Sequence, residues 1–315
     1  MKHYLHINNV ENLQKTVEEA IELKKNELEF SELGKGKTIC LLFFNNSLRT
    51  RLSTQKAAQN LGLNVVVMNF GSEGWQLEYE DGVVMNQDKA EHIKEAAKVI
   101  AQYCDIVAIR AFASLTDKEK DRAEIVLESF KKLAGIPVVN MESATGHPMQ
   151  ALADAITMEE YKVAEKPKVV LSWAPHPRAL PHAVANSFVE MMQLQNADFV
   201  ITHPEGYELD EEITKNSKIE YNQKKAFENA DFVYVKNWSS FKNYGKVDNT
   251  DENWMINGDK MAVTNSAKFM HCLPVRRNVV VADEVIDSEN SVVIEQANNR
   301  TYSAQIVLKR ILEDM

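Results

Sequence analysis

KTICLLFFNNSLRTRLSTQKAAQNLGLNVVVMNF, residues 37–70, is the stretch whose reading decides the fold. It opens on an apolar run rich in β-branched and aromatic side chains (37–44), the composition of a strand buried on both faces. A short polar break, Asn45-Asn46-Ser47, follows, and then a segment with helical spacing that ends at Gly62. A second apolar run, NVVVMNF (64–70), comes next. Strand, helix, strand within about 35 residues is the crossover that a parallel pair of strands requires.

Working outward, the unit repeats. DIVAIRAF (105–112) and PVVNME (137–142) read as further strands, and AEHIKEAAKVIAQYC (90–104) and DKEKDRAEIVLESFKKLAG (117–135) as helices. The pattern then restarts with KVVLSWAP (168–175), DFVITHPE (198–205), DFVYVKNW (231–238), KFMHCLP (268–274) and SVVIEQA (291–297). ALPHAVANSFVEMMQLQ (179–195) and YNQKKAFENA (221–230) lie between them as helices. These alternations predict an α/β protein of two doubly wound domains with parallel sheets, joined by interdomain helices. The expected boundaries are 1–150, 151–295 and a C-terminal helix, 296–315, that packs back on the first domain. A connecting helix is expected from about His147 to Ala164, where no turn signal interrupts the chain.

The 315 residues suit two domains of about 150. Glycine (11) and proline (8) are scarce, which excludes collagen-like, linker-like and proline-rich disordered chains. A formal charge of −10 offers no basic surface to nucleic acid or an anionic membrane, so any anion must be met in a local pocket. No run of about 18 apolar residues is present and the first residues lack a signal peptide's apolar core, so a cytoplasmic location is expected. Cys40, Cys104 and Cys272 are odd in number and widely spaced, which suits free thiols rather than a disulfide framework.

Two apparent motifs fall away. SELGKGKT (31–38) has Ser31 where a phosphate-binding P-loop needs glycine, and it precedes its strand instead of following it. His271-Cys272 has no companion His or Cys at ligand spacing, and neighbouring strand residues face opposite ways, so no metal is expected. Burial is the favoured role for the Cys272 side chain over nucleophilic catalysis.

In open parallel sheets, ligands bind beyond the carboxyl ends of the strands, so the loops there carry the chemistry. Ser47, Leu48, Arg49 and Thr50 open a helix. Its unpaired N–H groups, two hydroxyls and a guanidinium fork suit a phosphate, although Ser47 or Asn46 serving simply as a helix cap is the competing reading. Arg110 ends an apolar run, an unusual place for a guanidinium, where it meets either an anion or a structural carboxylate. His147, Gln150 and Asp154 share one face of the helix that Pro148 starts. A satisfied, partly buried histidine is the plain alternative for His147.

Taken together and in this order, Ser-x-Arg-Thr, the isolated Arg110, His-Pro-x-Gln and His-Cys-Leu-Pro resemble the aspartate/ornithine carbamoyltransferase family over essentially the whole chain. That resemblance implies transfer of the carbamoyl group of carbamoyl phosphate to an amine, with no cofactor. It implies that Ser47, Leu48 (through its backbone), Arg49 and Thr50 hold the phosphate. Arg110, His147 and Gln150 would contact the carbamoyl group, joined by the backbone at Cys272 and Leu273 and by Arg300. Thr50, Arg110 and His147 would be the catalytic donors to the oxygen on which charge develops.

The acceptor follows from departures. The Asp-x-x-x-Ser-Met-Gly loop of ornithine-type members is absent after DFVYVKNW, and Lys236, Glu142, Trp75 and His176 resemble the branch that uses α-N-acylated ornithine. In that branch Glu142, His176 and Lys236 would hold the acceptor, with Arg178 and Arg276 meeting carboxylates. Trp75 would reach into a neighbouring subunit's carbamoyl-phosphate site, which implies a homotrimer. Ala90 stands where acetyl-type enzymes carry glutamate and the succinyl-type proline; without a carboxylate to repel succinate, N-succinylornithine is expected over N-acetylornithine. Val280, where acetyl-type enzymes can have lysine, leans the same way. A knotted second domain is also implied. Free ornithine as acceptor, or a catalytically silent ligand-binding relative, are the remaining alternatives.

Overall fold

The computed structural model describes all residues, 1–315. In chain order the main elements are α1 (Leu13–Lys25), β1 (Thr38–Phe43), α2 (Arg49–Asn60), β2 (Asn64–Asn69), β3 (Leu77–Glu78), β4 (Glu91–His92), α3 (Ile93–Ile100), β5 (Ile106–Arg110), α4 (Lys118–Arg122), α5 (Ile125–Leu133), β6 (Val138–Glu142) and α6 (Pro148–Tyr161). They continue with β7 (Lys168–Trp173), α7 (Ala183–Met192), β8 (Asp198–Thr202), α8 (Glu211–Thr214), β9 (Lys218–Ile219), α9 (Gln223–Phe227), β10 (Phe232–Lys236), α10 (Gly258–Met261), β11 (Lys268–Met270), α11 (Asp283–Ile286) and α12 (Val293–Glu313).

The chain forms two compact units. The first comprises 1–114, 118–149 and 300–315, the second 115–117 and 150–299, so the division falls inside α6 and inside α12. In the first unit a four-stranded sheet has the order β2-β1-β5-β6, and a separate short ladder pairs β3 with β4. The second unit holds a five-stranded sheet, β11-β10-β7-β8-β9. Every pairing is parallel.

Burial explains the strand assignments. β5 and β6 are buried along their whole length, whereas β2, at the sheet edge, alternates between exposed and half-buried. Each sheet begins with the same device. Asp105 accepts a hydrogen bond from the Thr38 N–H at 2.7 Å, and Asp231 accepts one from the Lys168 N–H at 2.8 Å, tying the first residue of a strand to the residue before its neighbour. Gly62 ends α2 at φ +80, and a Cβ there would lie 2.1 Å from the Ser31 carbonyl oxygen, so only glycine fits. In the first unit the last turns of α12 are fastened by Gln305 to Asn60 (3.0 Å) and to the Glu27 carbonyl (2.6 Å), and by Arg310 to Thr16 (2.8 Å).

Four expectations shift. The connecting helix stops at Tyr161 rather than Ala164, as the chain prepares for Pro167, and α12 starts at Val293 rather than Gln296. The run 291–297, expected as a strand, is therefore not one: most of it is the first turn and a half of α12, its apolar residues too few to decide between the two periods. The segment 117–135 is not one helix: it breaks at Glu124, whose backbone is left-handed (φ 49, ψ 40). Helical spacing runs through the break because the interruption serves a side-chain contact, described below.

Candidate active site

The loop after β1 delivers Ser47 to Thr50 into the first turn of α2. The Ser47 hydroxyl accepts a hydrogen bond from the Thr50 N–H at 3.3 Å, so it caps the helix while remaining beside its N-terminus. Leu48 is exposed and Thr50 is buried. Thr50 Oγ1 accepts from Arg110 Nη1 at 3.2 Å and from Arg300 Nη2 at 2.5 Å. Three positions 60 and 250 residues apart in sequence thus meet at one hydroxyl within the first unit.

Arg110 also forms a buried ion pair with Glu142. The pairing is produced by the sheet. β5 and β6 change register between Ile109 and Arg110, so that Arg110 stands opposite Glu142 and Met141 is skipped. His147 Nε2 lies 3.2 Å from the same Glu142 oxygen and 3.3 Å from Arg300 Nη2. That nitrogen faces an acceptor and a donor together, so its protonation decides which bond it makes. Arg110 Nε is buried without a hydrogen-bond partner, and the guanidinium sits 4.2 Å from the centre of the Phe112 ring. Glu142, expected on sequence among the acceptor residues, therefore sits in one buried cluster with Thr50, Arg110, His147 and Arg300. Such a cluster supplies several preorganised donors and one carboxylate out of water, the arrangement that stabilises charge developing on a carbonyl oxygen.

Trp75 and Ala90, 15 residues apart, are brought to the base of one loop. The Trp75 indole N–H donates to Glu91 at 2.9 Å, and the Ala90 N–H donates to the Gln76 carbonyl at 3.2 Å. Within that loop Glu78 accepts from the Tyr79 and Glu80 N–H groups and from Lys89, which holds its carboxyl down to about 2. Trp75 is exposed.

In the second unit, Gln150 and Asp154 are buried and bonded at 2.7 Å. His271 N–H donates to Gln296 at 2.9 Å, Leu273 N–H donates to His271 Nδ1 at 2.9 Å, and the Leu273-Pro274 peptide is cis. The Cys272 side chain is buried. His176 gathers the predicted cations. Arg276 Nε donates to its Nε2 at 3.1 Å, and its Nδ1 meets the Arg178 carbonyl at 2.9 Å. Burial lowers the His176 pKa, and the charges of Lys236, Arg276 and Arg178 lower it further, against the Arg178 carbonyl, which favours the proton. His176 and Arg178 line one small recess with Trp173, Tyr207, Asn237 and Lys246.

Two family models match the chain. One is described as the carbamoyl-P binding domain of aspartate/ornithine carbamoyltransferase, over residues 2–160, and the other as its Asp/Orn binding domain, over 181–311. The chain belongs to the aspartate/ornithine carbamoyltransferase family. It is 52% identical, over the full length of both chains, to an N-succinylornithine carbamoyltransferase of Bacteroides fragilis. It is 36% identical to an N-acetylornithine carbamoyltransferase of Xanthomonas campestris, over 99% of this chain and 98% of the relative. A solved glutamate-to-alanine mutant of N-acetyl-L-ornithine transcarbamylase, complexed with carbamyl phosphate and N-succinyl-L-norvaline, matches with a TM-score of 0.92 at 34% identity, covering 99% of this chain and 100% of that one. No helix of the chain is long and apolar enough to cross a membrane.

Two residues of this carbamoyltransferase escaped the sequence reading. Glu124 Oε1 accepts from Ser143 Oγ (2.7 Å), Thr145 N–H (2.7 Å) and Thr145 Oγ1 (2.5 Å), and Oε2 accepts from the Ala144 N–H (3.2 Å). It holds the whole loop between Glu142 and His147. Tyr207 accepts from the N–H groups of Asp248 and Asn249 at 2.9 and 2.8 Å, anchoring the loop that follows β10. The only sequence signal for Glu124 was a charged residue beside Ile125-Val126 in a helix whose apolar face did not need it.

Proposed function

We propose that this enzyme transfers the carbamoyl group of carbamoyl phosphate to the side-chain amine of N-succinyl-L-ornithine, giving N-succinyl-L-citrulline and phosphate in arginine biosynthesis. The neutral amine attacks the carbamoyl carbon, a C–N bond forms, the C–O bond to phosphate breaks, and the amine loses a proton. Ser47, the Leu48 backbone, Arg49 and Thr50 hold the leaving phosphate at the start of α2, where N–H groups and the helix dipole favour an anion. Thr50, Arg110 and His147 donate to the carbamoyl oxygen as charge develops on it, and Arg300 supports Thr50. Gln150 and the backbone at Cys272 and Leu273 fix the carbamoyl group.

For the acceptor, His176, Arg178, Lys236 and Arg276 form a cationic group suited to carboxylates, and Glu142 is the carboxylate nearest the reacting donors. Trp75 serves a neighbouring subunit's site in a homotrimer, and Ala90 belongs to the acyl-ornithine site. The observation that carries the succinyl reading is the 52% identity along the whole chain to an enzyme of that name, against 36% to an acetyl-type relative. A physical argument agrees: Ala90 puts no carboxylate where succinate's own would lie. The solved alanine, valine, serine and proline mutants of the acetyl enzyme, each lacking a glutamate, were all complexed with the succinyl compound. N-acetylornithine, the acceptor named for the other relatives, is the second reading. A carbamoyl-phosphate assay offering N-succinylornithine, N-acetylornithine and ornithine separately tests it.

A further inference from the structure

Gln150 is buried, and its amide has one settled end and one open end. Nε2 donates to Asp154 Oδ1 at 2.7 Å, while Oε1 is buried without a hydrogen-bond partner. An amide can be turned either way, and its direction is set by what its neighbours can give or take.

The direction here is rooted in the backbone. The His271 N–H can only donate, and it donates to Gln296 Oε1 at 2.9 Å. Gln296 must then turn its NH₂ the other way, where it donates to Asp154 Oδ1 at 2.7 Å. Asp154 is fully buried, and its Oδ1 receives two donors, one from each glutamine. A carboxylate oxygen offered to Gln150 leaves that amide only one favourable orientation, with its NH₂ toward Asp154 and its carbonyl oxygen on the other side.

We infer that Asp154 is a positioning residue that fixes the Gln150 amide so that it presents an acceptor to the NH₂ of carbamoyl phosphate. The inference rests on the donor-site reading of Gln150 given above. A buried acceptor left without a donor is costly, so the site rejects an acyl phosphate whose carbonyl carries a methyl group in place of NH₂. Asp154 thereby makes the enzyme selective for an amide over an acyl donor without touching either.

The test compares carbamoyl phosphate and acetyl phosphate as ligands of the full-length enzyme, by direct binding with no acceptor present. Wild type favours carbamoyl phosphate. In Asp154→Ala the Gln150 amide is released and the preference falls by about tenfold. Asp154→Asn keeps an oxygen at Oδ1, held there by the Gln296 NH₂, and retains the preference within about threefold. Gln150→Met leaves Asp154 bonded to Gln296 and also loses the preference, which keeps the idea refutable if the alanine variant does not fold. An unchanged ratio in folded Asp154→Ala, or in Gln150→Met, overturns the inference. So does a large loss in folded Asp154→Asn. A wild type with no preference removes Gln150 from the donor site and the inference with it. None of these results touches the choice of acceptor, which is read in a separate assay.

Discussion

Glu124 Oε1 accepts hydrogen bonds from both the backbone N–H and the hydroxyl of Thr145, at 2.7 and 2.5 Å. Thr145 stands two residues before His147, so the contact fixes the approach of the chain to the imidazole. Glu124→Ala releases all four bonds to the loop and is expected to lower kcat by about 10- to 100-fold, since small misplacements of a catalytic group are costly. Glu124→Gln keeps Oε1 and three of the four bonds, and should stay within about threefold of wild type. Steady-state kinetics on both variants check this, and equal losses in the two would exclude the positioning role.

Arg49 and Arg110 separate chemistry from stability. Arg110 is buried against Glu142, so Arg110→Ala leaves a buried carboxylate without its cation and should cost about 3–5 kcal/mol of folding stability as well as turnover. Arg49 is half-buried, and Arg49→Ala should lower kcat/KM by about 10²- to 10³-fold while costing less folding stability than Arg110→Ala. Denaturant melts alongside activity assays distinguish the two. Full stability in Arg110→Ala would show that the ion pair contributes nothing.

The parallel sheets and the loops that carry Ser47, Arg110, His147 and His176 were legible because apolar runs, helix starts and prolines are local signals. What was not legible is where side chains spend their hydrogen bonds. Helical spacing passes straight through Glu124, yet the backbone there turns left-handed so that the carboxylate can reach a loop 19 to 21 residues on. The alignment of Arg110 with Glu142 depends on a register change between two strands, which no single strand's composition encodes. Asp105 and Asp231 head apolar runs in the sequence, but their tie to the neighbouring strand is a tertiary fact.

The proposed place of His176 in the acceptor site carries an acid limit on acceptor binding. Burial and three nearby cations lower its pKa below the ordinary 6.5, so it is neutral at pH 7 and can accept from Arg276. The ratio of the acceptor KM of wild type to that of His176→Gln, in which the titration of the acceptor's own amine cancels, should therefore be flat from about pH 8 down through that value and rise only as pH falls further and the ring gains a proton. Glutamine offers an acceptor that does not titrate, so the ratio isolates the imidazole. A ratio that climbs already above pH 7 would contradict the assignment.

On the proposed succinyl specificity, Ala90→Glu puts a carboxylate beside the succinyl group's own. The ratio of kcat/KM for N-succinylornithine to that for N-acetylornithine should fall by about tenfold or more, mainly through the succinyl compound. An unchanged ratio would remove residue 90 from the account of specificity.

The most direct measurement is kcat/KM of the wild-type enzyme with carbamoyl phosphate and each of N-succinyl-L-ornithine, N-acetyl-L-ornithine and L-ornithine under one set of conditions. The predicted result is turnover with N-succinyl-L-ornithine at least about tenfold more efficient than with the acetyl compound, and none with free ornithine. Preference for N-acetyl-L-ornithine, or turnover with free ornithine alone, would contradict it.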